Sequence, residues 1–268
     1  MRSLELFAMK KPALQDVVVA KRDQIEGLIK GVDVIRAFDH ESVRLTPTEV
    51  GEKVELSRTA ARRYLLTLVH MGLAATDGRS FWLRPSVLSL GHAYVESARL
   101  PRAVVPYLQR LTNELQESTN YSVLDGDEVV YVSRVNAPRI LLAGFDPGMR
   151  LPAYTSTAGR VLLASLSDEA LRAYLARVPL IAYTHLTVTD PEQLFREIVK
   201  IRDNGFGSTE SQYEMGLRGI SVPVKNRGGQ VVGALSTSMA ASHGTQKEAI
   251  ARCVPALQAA ANSMMLWV

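Results

Sequence analysis

The chain has 268 residues, 47% of them hydrophobic, one cysteine and a formal net charge of +4. These totals predict a globular protein of one large or two smaller domains, and they exclude a disulfide framework within the chain. The sequence holds no run of eighteen apolar residues and its start lacks the pattern of a signal peptide, so we expect no membrane span and a cytoplasmic location.

The positive charge is concentrated in one stretch. Residues 57–84 contain five arginines and a single acidic residue, Asp77, whereas the other 26 basic and 26 acidic residues of the chain cancel. A basic patch on an otherwise neutral chain is typical of a protein with an anionic partner, such as nucleic acid. The alternative is a helix face that is merely solvated.

The first predicted elements are an arm and two helices. Residues 1–24 have no apolar periodicity and predict a flexible N-terminal arm. Apolar residues over 25–38 recur at helical spacing. Pro47 follows Thr46, and Glu49 lies three residues after Thr46, which is the pattern of a capping box at the start of a second helix.

A third helix and a hairpin complete the first predicted domain. Ser57 is a candidate N-cap for a helix over 58–70, joined to the second helix by a three-residue connection. The pair Asp77-Gly78 between short apolar runs predicts a two-residue hairpin turn. Residues 25–85 therefore predict a winged helix-turn-helix domain.

The third helix carries its arginines on one face. At about 100° per residue, Arg58, Thr59, Arg62 and Arg63 share one side while Ala61, Leu65 and Leu68 share the other. The N-terminal end of such a helix can enter the major groove of DNA, where arginine pairs with guanine or phosphate. The predicted DNA-binding residues are Ser57, Arg58, Thr59, Arg62, Arg63 and, at the wing tip, Arg79.

The rest of the chain predicts a linker helix and a domain of α+β class. The linker helix covers 86–101 and the second domain covers 102–268. Strands are predicted at 121–135 (two strands), 139–145, 205–213, 217–225 and 230–239. Helices are predicted at about 102–117, 157–165, 168–176, 191–204 and 245–264. An antiparallel sheet with helices around it is typical of a small-molecule sensor domain.

Five stretches together resemble the IclR family of bacterial transcription regulators: LTPTEVGEKVELSRTAARRYLLTLVHMGL, DGRSFWLRPSVLSLGHAYV, LPAYTSTAGRVLLA, YEMGLRGISVPV and GQVVGALSTS. The resemblance implies a winged helix-turn-helix domain, a dimerising linker helix and a C-terminal GAF-like domain that binds a small effector. Dimers and tetramers are common in that family. The variant LSRTAARRYLLTL is similar to a subgroup that regulates aromatic-acid breakdown through the β-ketoadipate pathway, such as the protocatechuate and 4-hydroxybenzoate regulators.

The resemblance also implies an effector site. Its residues here would be Thr157, Ala158, Glu210, Ile220, Ser236 and Ser238. Hydroxyl groups before a helix start and along a facing strand would suit a carboxylate, although they also fit a simple helix cap and a polar strand face. Glu210 would repel an anion unless it faces away or is protonated. Some family members have glycine or serine where Thr157 stands, so their ligands do not transfer to this chain.

No enzyme chemistry, cofactor or metal site is predicted. No serine lies in a Gly-x-Ser-x-Gly elbow, and the five histidines (40, 70, 92, 185 and 243) lack metal-ligand spacing. Cys253 fits a small core residue. We therefore predict a homodimeric or tetrameric regulator, activator or repressor, that binds double-stranded operator DNA and a small carboxylate. The alternatives are a small-molecule enzyme with an accessory nucleic-acid module, and a structural protein that binds nucleic acid without sequence preference.

Overall fold

The structure, a computed structural model, describes residues 19–39, 41–97, 99–137 and 145–265, without the side chains of 95–97 and 99–102. The chain forms two compact units that divide between Leu90 and Gly91. Most of the predicted arm and most of the predicted strand over 139–145 lie outside the described residues.

The first unit consists of three helices followed by a two-stranded antiparallel hairpin. Its elements are α1 (Glu26–Arg36), α2 (Pro47–Val54), α3 (Arg58–His70), β1 (Ala74–Thr76) and β2 (Phe81–Leu83). Leu45 adds an isolated bridge to Phe81, through two backbone hydrogen bonds of 3.0 and 2.8 Å. The predicted winged helix-turn-helix fold is confirmed.

Side-chain caps fix where α2 and α3 begin. The Glu49 carboxylate accepts hydrogen bonds from the backbone N–H and the hydroxyl of Thr46, at 2.7 and 2.8 Å, and lies at the third position of α2. These bonds hold the pKa of Glu49 below its usual value. The Ser57 hydroxyl accepts a hydrogen bond from the Ala60 N–H at the start of α3. The capping box predicted at Thr46 is therefore present.

The turn between α2 and α3 depends on a close backbone approach. A Cβ atom on Gly51 would lie 2.6 Å from the carbonyl oxygen of Leu56, so only glycine fits this place without a shift. Glu55 adopts the left-handed conformation, with φ of 55°. The core under this turn is formed by Val34, Val50, Ala61, Leu65, Leu68 and Phe81.

The second unit contains a six-stranded sheet in the order β5-β4-β3-β8-β7-β6, with every neighbouring pair antiparallel. Its strands are β3 (Ser118–Asp125), β4 (Glu128–Val135), β5 (Arg150–Pro152), β6 (Gly207–Glu210), β7 (Leu217–Lys225) and β8 (Val231–Ala240). The predicted strand over 205–213 ends early, because Ser211 adopts a positive φ of 53° and turns the chain away from the sheet edge.

Helices cover both faces of this sheet. The later helices are α4 (Leu88–Ser97), α5 (Arg99–Leu115), α6 (Thr157–Leu163), α7 (Asp168–Arg177), α8 (Pro191–Asn204) and α9 (Gln246–Met264). α5 and α9 pack on one face, and α6, backed by α7 and α8, lies on the other. The predicted α+β class is confirmed.

The helix predicted over about 102–117 has different bounds in the structure. Residues 99–101 are already helical, before the predicted start near 102, so Pro101 and Pro106 both lie within α5. No helix in the described part of the chain combines the length and the apolar character needed to cross a bilayer.

Candidate functional site

The arginines of α3 point to solvent. Ala61, Leu65 and Leu68 face the core of the first unit, which leaves the opposite face of the helix exposed. All six of the residues predicted to bind DNA are exposed: Ser57, Arg58, Thr59, Arg62, Arg63 and Arg79. The structure thus presents the predicted basic surface outward.

The charges on this helix face are not neutralised by the described residues of the protein. Within those residues, Arg58, Arg62 and Arg63 form no ion pair with a carboxylate. The Ser57 hydroxyl oxygen accepts the capping hydrogen bond, which leaves its hydrogen to act as a donor to another group. Three cations and a hydroxyl donor at a helix start suit a phosphate or a base edge.

The wing turn is held by the Asp77 side chain. Its carboxylate accepts backbone hydrogen bonds from Ser80 at 2.7 Å and Arg79 at 3.0 Å, and Gly78 takes a φ of 94°. The same two bonds hold the pKa of Asp77 below its ordinary value. The side chain of Arg79 is thereby displayed at the tip of a rigid turn.

Arg44 braces the wing, a role that sequence spacing does not reveal. Its guanidinium lies 4.0 Å from the ring centroid of Trp82 and 3.6 Å from the Asp77 carboxylate. Cation–π and ionic contacts at exposed positions each contribute little, of order 1 kcal/mol or less. Together they orient the hairpin relative to the chain before α2.

The second unit contains a small cavity of about 30 Å³ between the start of α6 and the sheet. This volume is well below the roughly 300–1,000 Å³ usual for small-molecule sites, so the lining side chains must move apart to admit an organic ligand. Four of the predicted effector residues line it: Thr157, Ala158, Ser236 and Ser238. Lining residues that the sequence did not indicate include Tyr131, Phe145, Leu151, Gln212, Tyr213 and Leu217.

Glu210 and Ile220, the other two predicted effector residues, are not brought to this cavity. Ile220 is fully buried among the side chains of α5 and α9, because it follows Gly219 and so faces the opposite side of the sheet. Glu210 is paired with Arg218, 2.7 Å away, and that arginine is also held by two backbone carbonyls. Because side chains alternate between the two faces of a strand, Leu217 and Gly219 are the residues of β7 that line the cavity.

One side of the cavity is aromatic. The rings of Tyr131 and Phe145 are stacked, with centroids 5.1 Å apart and an angle of 9° between their planes. The ring centroid of Tyr213 is 6.3 Å from that of Phe145 and 5.0 Å from that of Tyr183. Burial raises the pKa of Tyr131, so its phenol stays protonated. Such a wall accepts a flat aromatic ring.

The other side of the cavity is lined by hydroxyl groups. Thr157 and Thr209 share a short hydroxyl–hydroxyl hydrogen bond, and Ser236 and Ser238 face them from β8. Ser156 caps α6 by accepting from the Gly159 N–H at 2.9 Å, so this amide is already used. The cavity therefore combines an apolar aromatic surface with several neutral hydrogen-bonding groups.

Gln212 is fixed at the cavity by a buried arginine. Arg160 is 3% exposed and donates to the side chain of Gln212 at 2.6 Å, to Glu197 at 2.7 Å and to the Tyr154 carbonyl at 2.6 Å. Its desolvation is compensated because all three partners are oxygen acceptors. Among the described residues, no group of three or more His, Cys, Asp or Glu side chains is placed to hold a metal ion.

Comparison with known proteins identifies both units. Residues 27–78 match the IclR helix-turn-helix domain, and residues 92–265 match the domain described as bacterial transcriptional regulator IclR C-terminal. The chain is 39% identical over 243 residues to the Pca regulon regulatory protein of Pseudomonas putida, covering 90% of this chain and 84% of that protein. It is 33% identical to the p-hydroxybenzoate hydroxylase transcriptional activator of Acinetobacter baylyi, covering 92% of this chain and 93% of that protein.

A solved structure matches the second unit. The inducer-binding domain of the PobR transcription factor from Acinetobacter, a double mutant in complex with 3-hydroxybenzoic acid, superposes with a TM-score of 0.61 at 28% identity. The match covers 64% of this chain and all of that domain. The proteins to which this chain is similar are named as regulators and not as enzymes.

Proposed function

The chain belongs to the IclR family of bacterial transcriptional regulators, and from this premise we propose that an aromatic carboxylate controls its activity at promoters of aromatic-acid breakdown. As a member of this family the protein is an effector-controlled, DNA-binding regulator and not an enzyme. The pathway that we propose is the β-ketoadipate pathway.

The 39% identity with the Pca regulon regulatory protein carries this proposal, because it extends over 90% of the chain and so includes both units. The p-hydroxybenzoate hydroxylase activator supports the same pathway, at 33% identity. Relatives with other names, such as KdgR of Escherichia coli, are less similar, at 28% identity.

The side chains that line the cavity suit such a ligand once they move apart to admit it. Stacked Tyr131 and Phe145 provide a flat apolar surface, and the hydroxyls of Thr157, Ser236 and Ser238 provide hydrogen bonds for ring substituents. We assign these five residues, with Ala158, to effector binding. Glu210 and Ile220 are not part of this assignment, since one is paired with Arg218 and the other faces the opposite core.

We assign DNA recognition to the exposed face of α3 and to the wing. Arg58, Arg62 and Arg63 are placed to reach base edges or phosphates of the major groove, and Arg79 to reach the flanking backbone. Ser57 and Thr59 are short donors suited to phosphate oxygens. Residues 25–85 would act as the DNA-binding domain and 102–268 as the effector domain.

A single winged helix makes limited contact with DNA, so we infer a homodimer that reads two half-sites and can pair into a tetramer. The linker segment 86–101 would join the two copies. The effector then acts by linkage, since it must bind one arrangement of the dimer better than another to change promoter output. Such a regulator would work in the cytoplasm, where the promoter DNA lies.

A thermal-shift comparison tests the ligand class. The protein is heated with 4-hydroxybenzoate, 3-hydroxybenzoate or protocatechuate, and with succinate as a non-aromatic carboxylate control. A bound ligand stabilises the folded state in proportion to RT ln(1 + [L]/Kd), about 2.7 kcal/mol at a concentration of 100 times Kd. At least one aromatic acid should raise the unfolding temperature and succinate should not. No shift with any of the three acids would refute the proposed ligand class.

A further inference from the structure

Strand β4 contains a one-residue bulge beside the cavity. Tyr121 of β3 pairs with Ser133, whereas the next residue, Ser122, pairs with Tyr131, so Val132 is the extra residue. A bulge changes which face the following side chains occupy, because alternation along the strand is interrupted. Such bulges often lie next to binding sites and redirect a side chain toward them.

The bulge brings Arg134 to the face that carries the cavity. Arg134 pairs with Asn120, and Asn120 pairs in turn with Ser236, which lines the cavity. Residues directly opposite each other in an antiparallel pair point to the same face. Without the bulge, Arg134 and Tyr131 would be on opposite faces, because they are three positions apart. With it, both are on the face of the sheet that carries the cavity, Tyr131 in the cavity wall and Arg134 behind Phe145, whose carbonyl it approaches at 3.4 Å.

Arg134 is a half-buried cation without a carboxylate partner among the described residues. Its Nη1 lies 3.5 Å from the Asn120 side-chain oxygen and 3.4 Å from the Phe145 carbonyl, and its guanidinium is 5.8 Å from the Phe145 ring. Its Nε donates a short bond to Asn136, and its Nη2 donates to no described residue. Burial lowers the pKa of Arg134, although the field of Asp146 and the Tyr131 phenol oppose this effect.

Asn120 connects this cation to the hydroxyl wall. It is fully buried, accepts from Arg134 and donates from its Nδ2 to the Ser238 hydroxyl at 3.2 Å. Ser238 thus accepts from Asn120 and keeps its own hydroxyl hydrogen for another acceptor. A carboxylate at this end of the cavity would receive one hydrogen bond from a guanidinium and one from a hydroxyl.

We propose that Arg134, placed by the bulge at Val132 and positioned by Asn120, is the residue that makes the cavity select a carboxylate over a neutral ligand. This inference rests on the proposed function, since it concerns the same cavity and the same aromatic acids. The ligand carboxylate supplies a counter-charge to Arg134, and a charge-assisted hydrogen bond forms in a partly desolvated place. The aromatic ring then lies against Phe145 and Tyr131.

The test compares an acid with its neutral analogue. Binding of 4-hydroxybenzoate and 4-hydroxybenzamide is measured by calorimetry for the wild type, for Arg134→Gln and for Arg150→Gln. Arg150 lies on the neighbouring strand β5 and is already paired with the carboxylates of Asp125 and Glu128, so its variant removes the same charge from the same sheet without removing an unpaired cation. The wild type and the Arg150 variant should both prefer the acid at least tenfold.

Arg134→Gln should lose at least tenfold in affinity for the acid, because a hydrogen bond to a charged group is lost, while its affinity for the amide changes little. Arg134→Lys, which retains the charge, should keep a preference for the acid and serves as the second variant if the glutamine protein does not fold. If Arg134→Gln kept the wild-type ratio of affinities for the acid and the amide, or if the wild type did not prefer the acid, this inference would be overturned and the proposed function would not. A wild type that binds neither probe, and neither 3-hydroxybenzoate nor protocatechuate, would overturn the proposed ligand class and this inference with it.

Discussion

Thr157 occupies the space that Gly219 leaves open. A Cβ atom on Gly219 would lie 2.2 Å from the Thr157 hydroxyl oxygen and 3.1 Å from its Cβ. The two residues come from α6 and β7 and both line the cavity. The absence of a side chain in the strand is therefore what allows a threonine at the helix start.

Gly219→Ala should displace Thr157, and it should weaken both folding and effector binding. Forcing an extra methyl group into a packed interior costs roughly 1–3 kcal/mol. The free energy of unfolding, measured by chemical denaturation, should fall by that amount. Adding Thr157→Gly to the variant should restore most of the loss, since the clashing side chain is then removed. A double variant as unstable as the single one would argue against this contact.

Gly51→Ala should destabilise the first unit, because the new methyl group would meet the backbone carbonyl of Leu56, which cannot rotate away. A loss of roughly 1–3 kcal/mol is expected from overpacking. Gly31→Ala is the matched control, since it lies inside α1 and a methyl group there would have no neighbouring atom within 4 Å among the described residues. That variant should be neutral or stabilising by up to about 1 kcal/mol. Equal effects of the two changes on the thermal unfolding curve would contradict the account.

Arg62→Ala should weaken binding to the operator by about 1–3 kcal/mol if this residue contacts a base edge. The operator is first selected from random DNA fragments with the wild-type protein. Arg196→Ala removes a charge that is also exposed, from α8, and should leave the dissociation constant unchanged. Wild-type affinity in the Arg62 variant would remove that residue from the interface.

The pKa of Asp39 should be about 2, because Lys53 donates a hydrogen bond to its carboxylate at 3.0 Å, aided by the backbone N–H groups of Ser42 and Glu41. Because folding lowers the pKa of Asp39, its ionised carboxylate stabilises the folded state at pH values above its ordinary pKa of about 4. This contribution is lost as the pH falls through 2. Lys53→Met should raise the pKa of Asp39, as followed by NMR titration. An unmoved titration curve would show that Lys53 is not the main cause.

Local features of the site were predictable from sequence. Thr46 and Glu49 lie three residues apart, so their capping box depends only on helix geometry. The exposed arginines of α3 follow from its apolar periodicity, since one buried face determines the other. The Asp77-Gly78 turn is likewise a short-range pattern.

Non-local features were not predictable. Ile220 was expected in the effector site, but a shift of one residue along a strand reverses the face, and Gly219 takes that place. The residues around Val132 carry no sequence pattern that indicates a bulge, so the sequence did not predict that Arg134 lies on the cavity face of the sheet. The pairing of Arg160 with Gln212 joins residues far apart in the chain.

The central claim is that an aromatic acid in the cavity of the second unit changes operator binding by the first. The most direct measurement is the dissociation constant of the selected operator with and without saturating 4-hydroxybenzoate, for the wild type and for Ser236→Ala combined with Thr157→Val. Allosteric coupling usually changes affinity by about 5- to 150-fold. We predict a change of at least about fivefold in the wild type, and none in the double variant, whose affinity without ligand should equal that of the wild type. An operator affinity that the acid leaves unchanged in the wild type would contradict the account.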